Sequence, residues 1–361
     1  MPDGQIGAGR MTYQSRRGFF GLAAGGVGAA WASGSRALER DAPDLIVLPA
    51  PVYTVDAALP RAQAFAVRAG RFVAVGASDD IRALAGLRTQ TFDAQGATIT
   101  PGFIDCHNHA PGETLQFDVL VGNPYEVEFV TIDSIVGKLK AKAQTLPPDT
   151  WVEGFFYDDT KVKDGRLVNV HDLDRVSADH PVRVEHRGGH TSFYNSKALA
   201  MAGVTKATPN PPGGTFDKGP DGELNGRVTD RANAALAKIG KRQTFSPDEQ
   251  ARRGREGQAF ISSQFARYGL TSVHHEGGDL AALQEIRARG ELKHRVSYEP
   301  QDLVMEAMIR SGLRTGLGDE WIKLGATSEH LVDGSFSERT MAMRNPYAGV
   351  AEPYFGDLNR A

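Results

Sequence analysis

Hydrophobic and polar positions first alternate over short distances after residue 43, in a pattern typical of β-strands. Three runs rich in β-branched and aromatic residues predict strands at residues 44–48, 64–68 and 71–75. Ala69 and Gly70 separate the last two runs and predict a tight hairpin turn. A short helical pattern follows at residues 81–87. Residues 41–97 are therefore expected to form a small β-sandwich domain.

From residue 98 onwards the pattern changes, because strands now alternate with longer helical stretches. This alternation of strand and helix patterns predicts an α/β architecture with a parallel sheet. The predicted strands lie at residues 98–109, 269–273, 294–298 and 321–327, and the helices at 247–268 and 280–289. A long insertion, at about residues 110–245, separates the first two strands; it contains a helical pattern at 132–143 and strand patterns at 151–155 and 182–184.

The residues most informative about function lie in the first of these strands. Its sequence is TITPGFIDCHNH, at residues 98–109. Phe103 and Ile104 are expected to bury the strand. Alternate side chains of an extended backbone point the same way, so His107 and His109 can present two imidazoles to one metal ion. Half of a coordination sphere is thus predicted at the strand end.

The amino-acid composition and the net charge exclude some classes of partner and of metal site. The 361 residues are 40% hydrophobic and 24% charged, which is typical of a globular protein. The net charge of −3, without a basic run interleaved with aromatic residues, argues against nucleic acid as a partner. The single cysteine, Cys106, excludes an internal disulfide framework and a thiolate zinc site. Cys106 alternates with the two histidines and is expected to be a small buried hydrophobic residue.

The sequence of the amino terminus is typical of a targeting segment. The sequence SRRGFF at residues 15–20 precedes a weakly apolar, glycine-rich run at residues 21–30, which is too short to span a bilayer. Residues 1–40 resemble a twin-arginine export signal, which implies export to a bacterial periplasm. No stable membrane span is predicted elsewhere.

Three further segments, together with the histidine strand, carry a family resemblance. They are GGHTSFYNSKAL at residues 188–199, DGELNG at 221–226, and DGS at 333–335 with RT at 339–340. In this order they resemble the metal-dependent amidohydrolase superfamily, in its amidohydrolase-3 or YtcJ-like branch. The resemblance implies a TIM-like (β/α) metallo-hydrolase barrel, with one or two divalent metals, usually zinc, at its carboxyl-terminal mouth.

The chain departs from this family in length. Members normally have four more barrel strands, which supply two further metal histidines and a catalytic aspartate. Residues 98–361 are therefore expected to form only the first half of a barrel. The general-base aspartate is expected beyond the carboxyl terminus, so no catalytic residue is assigned here. The chain is then a fragment, a truncated gene product or a half-barrel completed by another chain.

Two residues are candidates for the third metal ligand. Many relatives place a carboxylated lysine four residues before the aspartate of the Asp-Gly-Ser motif, but here that position is Glu329. The nearest lysine, Lys323, falls near the start of the fourth predicted strand. Active sites of such barrels lie at the carboxyl ends of strands, which favours Glu329 and leaves a carboxylated Lys323 as the alternative.

The resemblance also implies substrate-binding residues in the insertion. His190 follows two glycines, where the backbone can approach a ligand closely, and Asn195 follows it. A loop-capping role is the alternative for His190. His274 and His275 end the second strand but point to opposite faces, so neither is assigned as a ligand. His186 and His330 are interpreted as structural.

The predicted function is hydrolysis of a non-peptide amide, such as an N-acyl or N-formyl amine, by metal-activated water. The alternative is a truncated non-catalytic relative or a half-barrel subunit that binds metal weakly. The expected partner is a small-molecule amide, and homo-oligomerisation is left open.

Overall fold

A computed structural model describes residues 41–326, 332–348 and 353–358 of the chain. The twin-arginine-type segment at residues 1–40, Glu329 and His330 lie outside the described residues. The chain divides into two compact units, Met1–Pro101 and Gly102–Ala361. Within the described ranges, no helix combines the length and apolar character that crossing a bilayer requires.

The first unit contains two small sheets. The four-stranded sheet has the order β5-β4-β1-β6, and β2 pairs with β3 in the other. The strands are β1 (Leu45–Val47), β2 (Val52–Tyr53), β3 (Arg61–Ala62), β4 (Ala64–Arg68), β5 (Arg71–Gly76) and β6 (Gln90–Phe92). The predicted hairpin is present, with positive φ at Ala69 (50°) and Gly70 (73°), as a type I′ turn requires. The helix spans Ser78–Arg82 and starts earlier than expected. The sandwich arrangement stays a prediction.

The second unit contains the predicted parallel sheet. Its four strands are β7 (Phe103–Asn108), β14 (Leu270–Glu276), β15 (Arg295–Glu299) and β16 (Ile322–Leu324), in the order β16-β15-β14-β7. The helices Pro247–Arg267, Leu280–Ala288 and Asp302–Arg310 connect them. Ser246 caps the first of these helices by accepting a hydrogen bond from Glu249, as a serine before proline predicts. This is the strand-helix alternation of a partial TIM-like barrel.

The insertion between β7 and β14 folds around a six-stranded sheet of its own, in the order β12-β13-β11-β10-β9-β8. Its strands are β8 (Val119–Leu120), β9 (Val152–Tyr157), β10 (Val182–His186), β11 (Thr191–Tyr194), β12 (Phe216–Lys218) and β13 (Leu224–Thr229). Its helices are Gly112–Phe117, Ile132–Ala143, Val170–Asp174 and Ser196–Met201, with 3₁₀ turns at Asp159–Lys161 and Asp230–Ala235. The helix at 132–143 has the predicted bounds, fixed by a capping box between Thr131 and Ser134.

The environment of β7 corrects two expectations. Phe103 and Ile104 do not bury the strand, since they are 61% and 64% exposed, and Cys106 is exposed rather than buried. The physical reason is that β7 is an edge strand, paired with β14 on one side. The apolar side chains of a barrel strand need further strands or helices to cover them, and the described residues do not supply them here.

Candidate functional site

The two histidines of the Asp-Cys-His-Asn-His segment lie side by side at the carboxyl end of β7. The ring centroids of His107 and His109 are 5.0 Å apart, with the rings nearly perpendicular. Their side chains are 49% and 59% exposed. The alternation of an extended chain therefore brings the two imidazoles to one face, as the sequence predicts.

Glu276 completes a group of three ligands at the same edge of the sheet. It ends β14, which runs parallel to β7 with His275 opposite Asn108. Glu276 Oε2 lies 3.1 Å from His109 Nε2 and 3.7 Å from His107 Nε2. One ligand atom from each residue lies within 4.8 Å of the other two, the single such group found among the described residues.

This group fits a divalent metal ion. Two imidazole nitrogens and one carboxylate oxygen are a ligand set that zinc and other first-row metals accept, with positions left open for water or substrate. The Glu276 side chain is only 2% exposed and is aimed at the histidines. A buried carboxylate is stabilised when it faces cations or donors, so the convergence of these atoms is what a cation would require.

Neighbouring polar residues hold the ligand segments. Asp105 Oδ1 accepts a hydrogen bond from the His107 backbone nitrogen (3.2 Å), and its Oδ2 accepts one from Asn108 Nδ2 (2.7 Å). On the other strand, Gln301 Nε2 donates to Glu276 Oε1 at 3.0 Å. The strand end that carries the histidines and the orientation of the glutamate are thus both tied to fixed partners.

Glu276 is a candidate third ligand in addition to the two predicted from the sequence. Glu329 lies outside the described residues and stays a prediction. Lys323 is exposed on β16, opposite Ser297 of β15, so two strands separate it from β7 in the sheet. Glu276 was not predicted because the sequence pattern ends the second strand with His274 and His275, whereas β14 continues one residue further, to Glu276. The signal was the polar run His274-His275-Glu276 at the end of an apolar strand.

The histidines beside Glu276 behave as the alternation predicts. His275 is fully buried, with Nδ1 3.1 Å from the Gly277 carbonyl oxygen. His274 points to the other face, where its Nδ1 lies 3.1 Å from Glu299 Oε1. Neither belongs to the group of ligands.

Asn195 has a structural position that corrects its expected role in substrate binding. It is 0% exposed and is the N-cap of the helix Ser196–Met201. Its Oδ1 accepts hydrogen bonds from the backbone nitrogens of Ala198 and Val182, and its Nδ2 donates to the His180 carbonyl oxygen, each at 3.0 Å. An amide that is enclosed and fully used in this way is not available to a substrate.

His190 keeps a polar environment. Its Nδ1 lies 2.8 Å from Asp230 Oδ1, and the side chains are 18% and 3% exposed. Its backbone nitrogen donates to Glu338 Oε1 at 3.3 Å. Asp230 has a φ of 41°, an unusual backbone conformation held by the turn that brings its carboxylate to the imidazole. Substrate binding by His190 stays a prediction.

Glu338 belongs to the segment between Asp-Gly-Ser and Arg-Thr, and it connects this segment to the inserted sheet. His186 lies between two carboxylates, with Nε2 3.2 Å from Asp159 Oδ1 and Nδ1 3.4 Å from Glu338 Oε2. Burial opposes protonation, but the facing carboxylates of Asp159 and Glu338 raise the pKa of His186 to about 9. Glu338 and His186 thus form a buried ion pair, beside which Asp159 is more exposed. The expected structural role of His186 agrees with this placement.

Comparison with known proteins identifies the family. The sequence pattern of the amidohydrolase family, in the group named Amidohydro_3, matches residues 90–361. The chain therefore belongs to the amidohydrolase family, in the YtcJ-like branch.

The chain is 31% identical over 190 residues to the N-substituted formamide deformylase of Arthrobacter pascens, a match that covers 52% of this chain and 34% of that protein. It is 27% identical over 305 residues to the putative amidohydrolase YtcJ of Bacillus subtilis (strain 168), covering 82% of this chain and 55% of YtcJ. The chain thus spans about half, or less, of the length of these curated relatives.

Solved structures support the fold. The crystal structure of an uncharacterised metal-dependent hydrolase from Pyrococcus horikoshii OT3 matches with a TM-score of 0.55 and 19% sequence identity. The match covers 87% of this chain and 60% of that one. At this level of identity the likeness concerns the fold, which is the TIM-like metallo-hydrolase fold that the motifs imply.

Proposed function

We propose that the chain carries the metal-binding half of an enzyme that hydrolyses a non-peptide amide C–N bond. The observation that carries the proposal is the convergence of His107, His109 and Glu276 at the carboxyl edge of the parallel sheet. In (β/α) barrels this edge is where catalytic residues gather. Membership of the amidohydrolase family supplies the reaction class.

The chain's own residues have distinct parts in this proposal. His107, His109 and Glu276 would hold the metal, since His107 Nε2 and His109 Nε2 both face Glu276 Oε2. Asp105 keeps the histidine segment in place by its hydrogen bonds to the His107 backbone and to Asn108. A divalent ion held there, which we propose to be zinc, would supply the Lewis acidity that lowers the pKa of bound water and polarises a substrate carbonyl. No residue of this chain is assigned as the general base.

The substrate is proposed to be a small N-acyl or N-formyl amine. The support is the resemblance to a relative named N-substituted formamide deformylase, which extends over about half of this chain. We further propose that residues 1–40 direct export to the periplasm, because the SRRGFF sequence followed by an apolar run has the pattern of a twin-arginine signal. His190, which lies beside the buried Asp230, is the proposed substrate contact.

The proposal is tested by metal content and turnover together. The purified chain, loaded with zinc and freed of excess, is expected to retain at least one ion. A panel of N-formyl and N-acyl amines, assayed for amine release, is expected to include substrates. His107→Ala should lose both the ion and the activity, whereas His171→Ala, at an exposed histidine of the helix Val170–Asp174, should lose neither. Retention of full activity in His107→Ala would refute the proposal.

A second candidate function is supported by the exposure of β7. A half-barrel subunit that binds metal weakly and needs further β/α units would leave Phe103 and Ile104 uncovered, as they are here. The two candidates differ in the zinc dissociation constant of the chain alone. Tight stoichiometric binding supports the first, and weak binding without turnover supports the second.

A further inference from the structure

Gln301 occupies a helix start without serving as its cap. It precedes the helix Asp302–Arg310 at the N-cap position, yet its side chain accepts no capping hydrogen bond. Serine, threonine, aspartate and asparagine are the residues that cap well at this position. The Gln301 side chain instead reaches back to the carboxyl end of β14, where its Nε2 donates to Glu276 Oε1 at 3.0 Å.

The turn after β14 makes room for this contact. Gly277 and Gly278 both have positive φ, 65° and 86°, which glycine adopts at little cost. A Cβ atom on Gly277 would lie 2.4 Å from Gln301 Oε1, so a side chain there would displace the amide. The Gly277 backbone nitrogen also donates to the Glu299 carbonyl oxygen at 2.8 Å, which ties the turn to β15. The amide and the carboxylate are therefore held together by the backbone around them.

The two carboxylate oxygens of Glu276 have different partners, because the hydrogen bond from Gln301 engages only Oε1. An ionised carboxylate only accepts hydrogen bonds, so the Gln301 contact must come from the amide nitrogen. With Oε1 used in this way, Oε2 is the atom directed at His109 and His107, at 3.1 and 3.7 Å. Without the amide, the carboxylate would lose one of the contacts that hold its orientation.

We propose that Gln301 is a positioning residue for the metal centre, which fixes Glu276 so that a single oxygen faces the two histidines. The inference rests on the proposed metal site at His107, His109 and Glu276 and adds to it the residue that orients the carboxylate. Partners of this kind typically change metal affinity by about 10 to 100-fold when they are removed.

The test is the zinc dissociation constant of the full chain, measured by competition with a chromophoric chelator. Gln301→Leu keeps the approximate size of the side chain and removes the donor. It is expected to weaken zinc binding by about 10 to 100-fold. The visible absorption bands of the cobalt-loaded chain should also shift, because they respond to the ligand arrangement. A role limited to folding would move the urea midpoint of the metal-free chain and leave these bands unchanged.

Gln284→Leu is the matched control. Gln284 Nε2 donates to the Leu280 carbonyl oxygen at 3.2 Å on an exposed helix face, so the variant loses one amide hydrogen bond far from any ligand. Its zinc affinity should equal that of the wild type. Gln301→Met, which keeps the length and has no donor, is expected to weaken binding as Gln301→Leu does, and it tests the role of Gln301 if the leucine variant does not fold.

The outcomes separate the inference from the proposed function. Zinc binding by the wild type that is lost in His107→Ala and weakened in Gln301→Leu supports both. Zinc binding that is lost in His107→Ala but unchanged in both Gln301 variants overturns the role of Gln301 alone. A wild type that binds no zinc overturns the proposed function and, with it, this inference.

Discussion

The buried imidazole of His186 makes the stability of the inserted domain depend on pH in the alkaline range. His186 is 5% exposed and lies between Asp159 and Glu338. Burial alone would lower its pKa, but the two carboxylates raise the pKa from 6.5 to about 9. A folded-state pKa above the unfolded value means that folding is favoured while the group is protonated. The stabilisation is therefore complete below pH 6.5 and is lost as the pH rises through about 9.

The size of the effect follows from the shift. Each pKa unit corresponds to about 1.36 kcal/mol, so the change from 6.5 to about 9 gives a contribution of about 3 kcal/mol. The pKa of Asp159 is lowered by its hydrogen bond with His186, and that of Glu338 is lowered by His186 against the effect of burial. Both carboxylates stay ionised above their unfolded values of 3.8 and 4.5, so they add nothing to the alkaline loss.

The assay is urea unfolding between about pH 5.5 and 9.5, with the free energy of unfolding of the wild type compared with that of His186→Gln. The variant keeps a polar side chain that does not titrate. The wild type is expected to lose about 3 kcal/mol more than the variant across this range. His171→Gln, at an exposed histidine, should retain the wild-type slope. Equal slopes for the wild type and His186→Gln would refute the reasoning.

Three further expectations follow from single residues. Asn195→Ala removes a helix cap and leaves the backbone nitrogen of Val182 without its acceptor; urea unfolding should show a loss of about 2 to 4 kcal/mol, with an unchanged zinc dissociation constant. A loss of zinc affinity without a loss of stability would contradict the capping role. Gly112→Ala places a Cβ 2.1 Å from the Gly257 carbonyl oxygen, so the free energy of unfolding in urea is expected to fall by about 1 to 3 kcal/mol. Unchanged stability would contradict that close approach. Cys106 should react with a thiol reagent in the native chain about as fast as in urea, because it is exposed; full protection would show that β7 is covered.

Local sequence patterns predicted the parts of the fold whose cause is local. The helix Ile132–Ala143 has an apolar stripe and a capping box, and the hairpin at Ala69-Gly70 has residues suited to its positive φ. Both are therefore visible in a few adjacent positions. The strands β11 and β13 were not predicted, because neither shows a regular alternation of buried and exposed positions. β11, for example, is buried at all four positions, so it has no polar and apolar alternation.

The candidate site was predicted in part for the same reason. The pairing of His107 with His109 follows from the alternation of one strand. Glu276 joins them because β14 lies beside β7, although residues 109–269 lie between the two strands in sequence, and no short pattern encodes that pairing. Asn195 shows the converse difficulty. A polar residue before a short helix suits a ligand contact and an N-cap equally well, and only its burial distinguishes them.

The metal centre itself is tested most directly by X-ray absorption at the zinc edge, on the chain loaded with one equivalent of zinc. The account predicts two imidazole nitrogens at about 2.0 to 2.1 Å, together with oxygen ligands and no sulfur. It also predicts that the imidazole signal is lost in the double variant His107→Ala, His109→Ala. A sulfur ligand at about 2.3 Å from Cys106, or an imidazole signal that persists in the double variant, would contradict the assignment of the site.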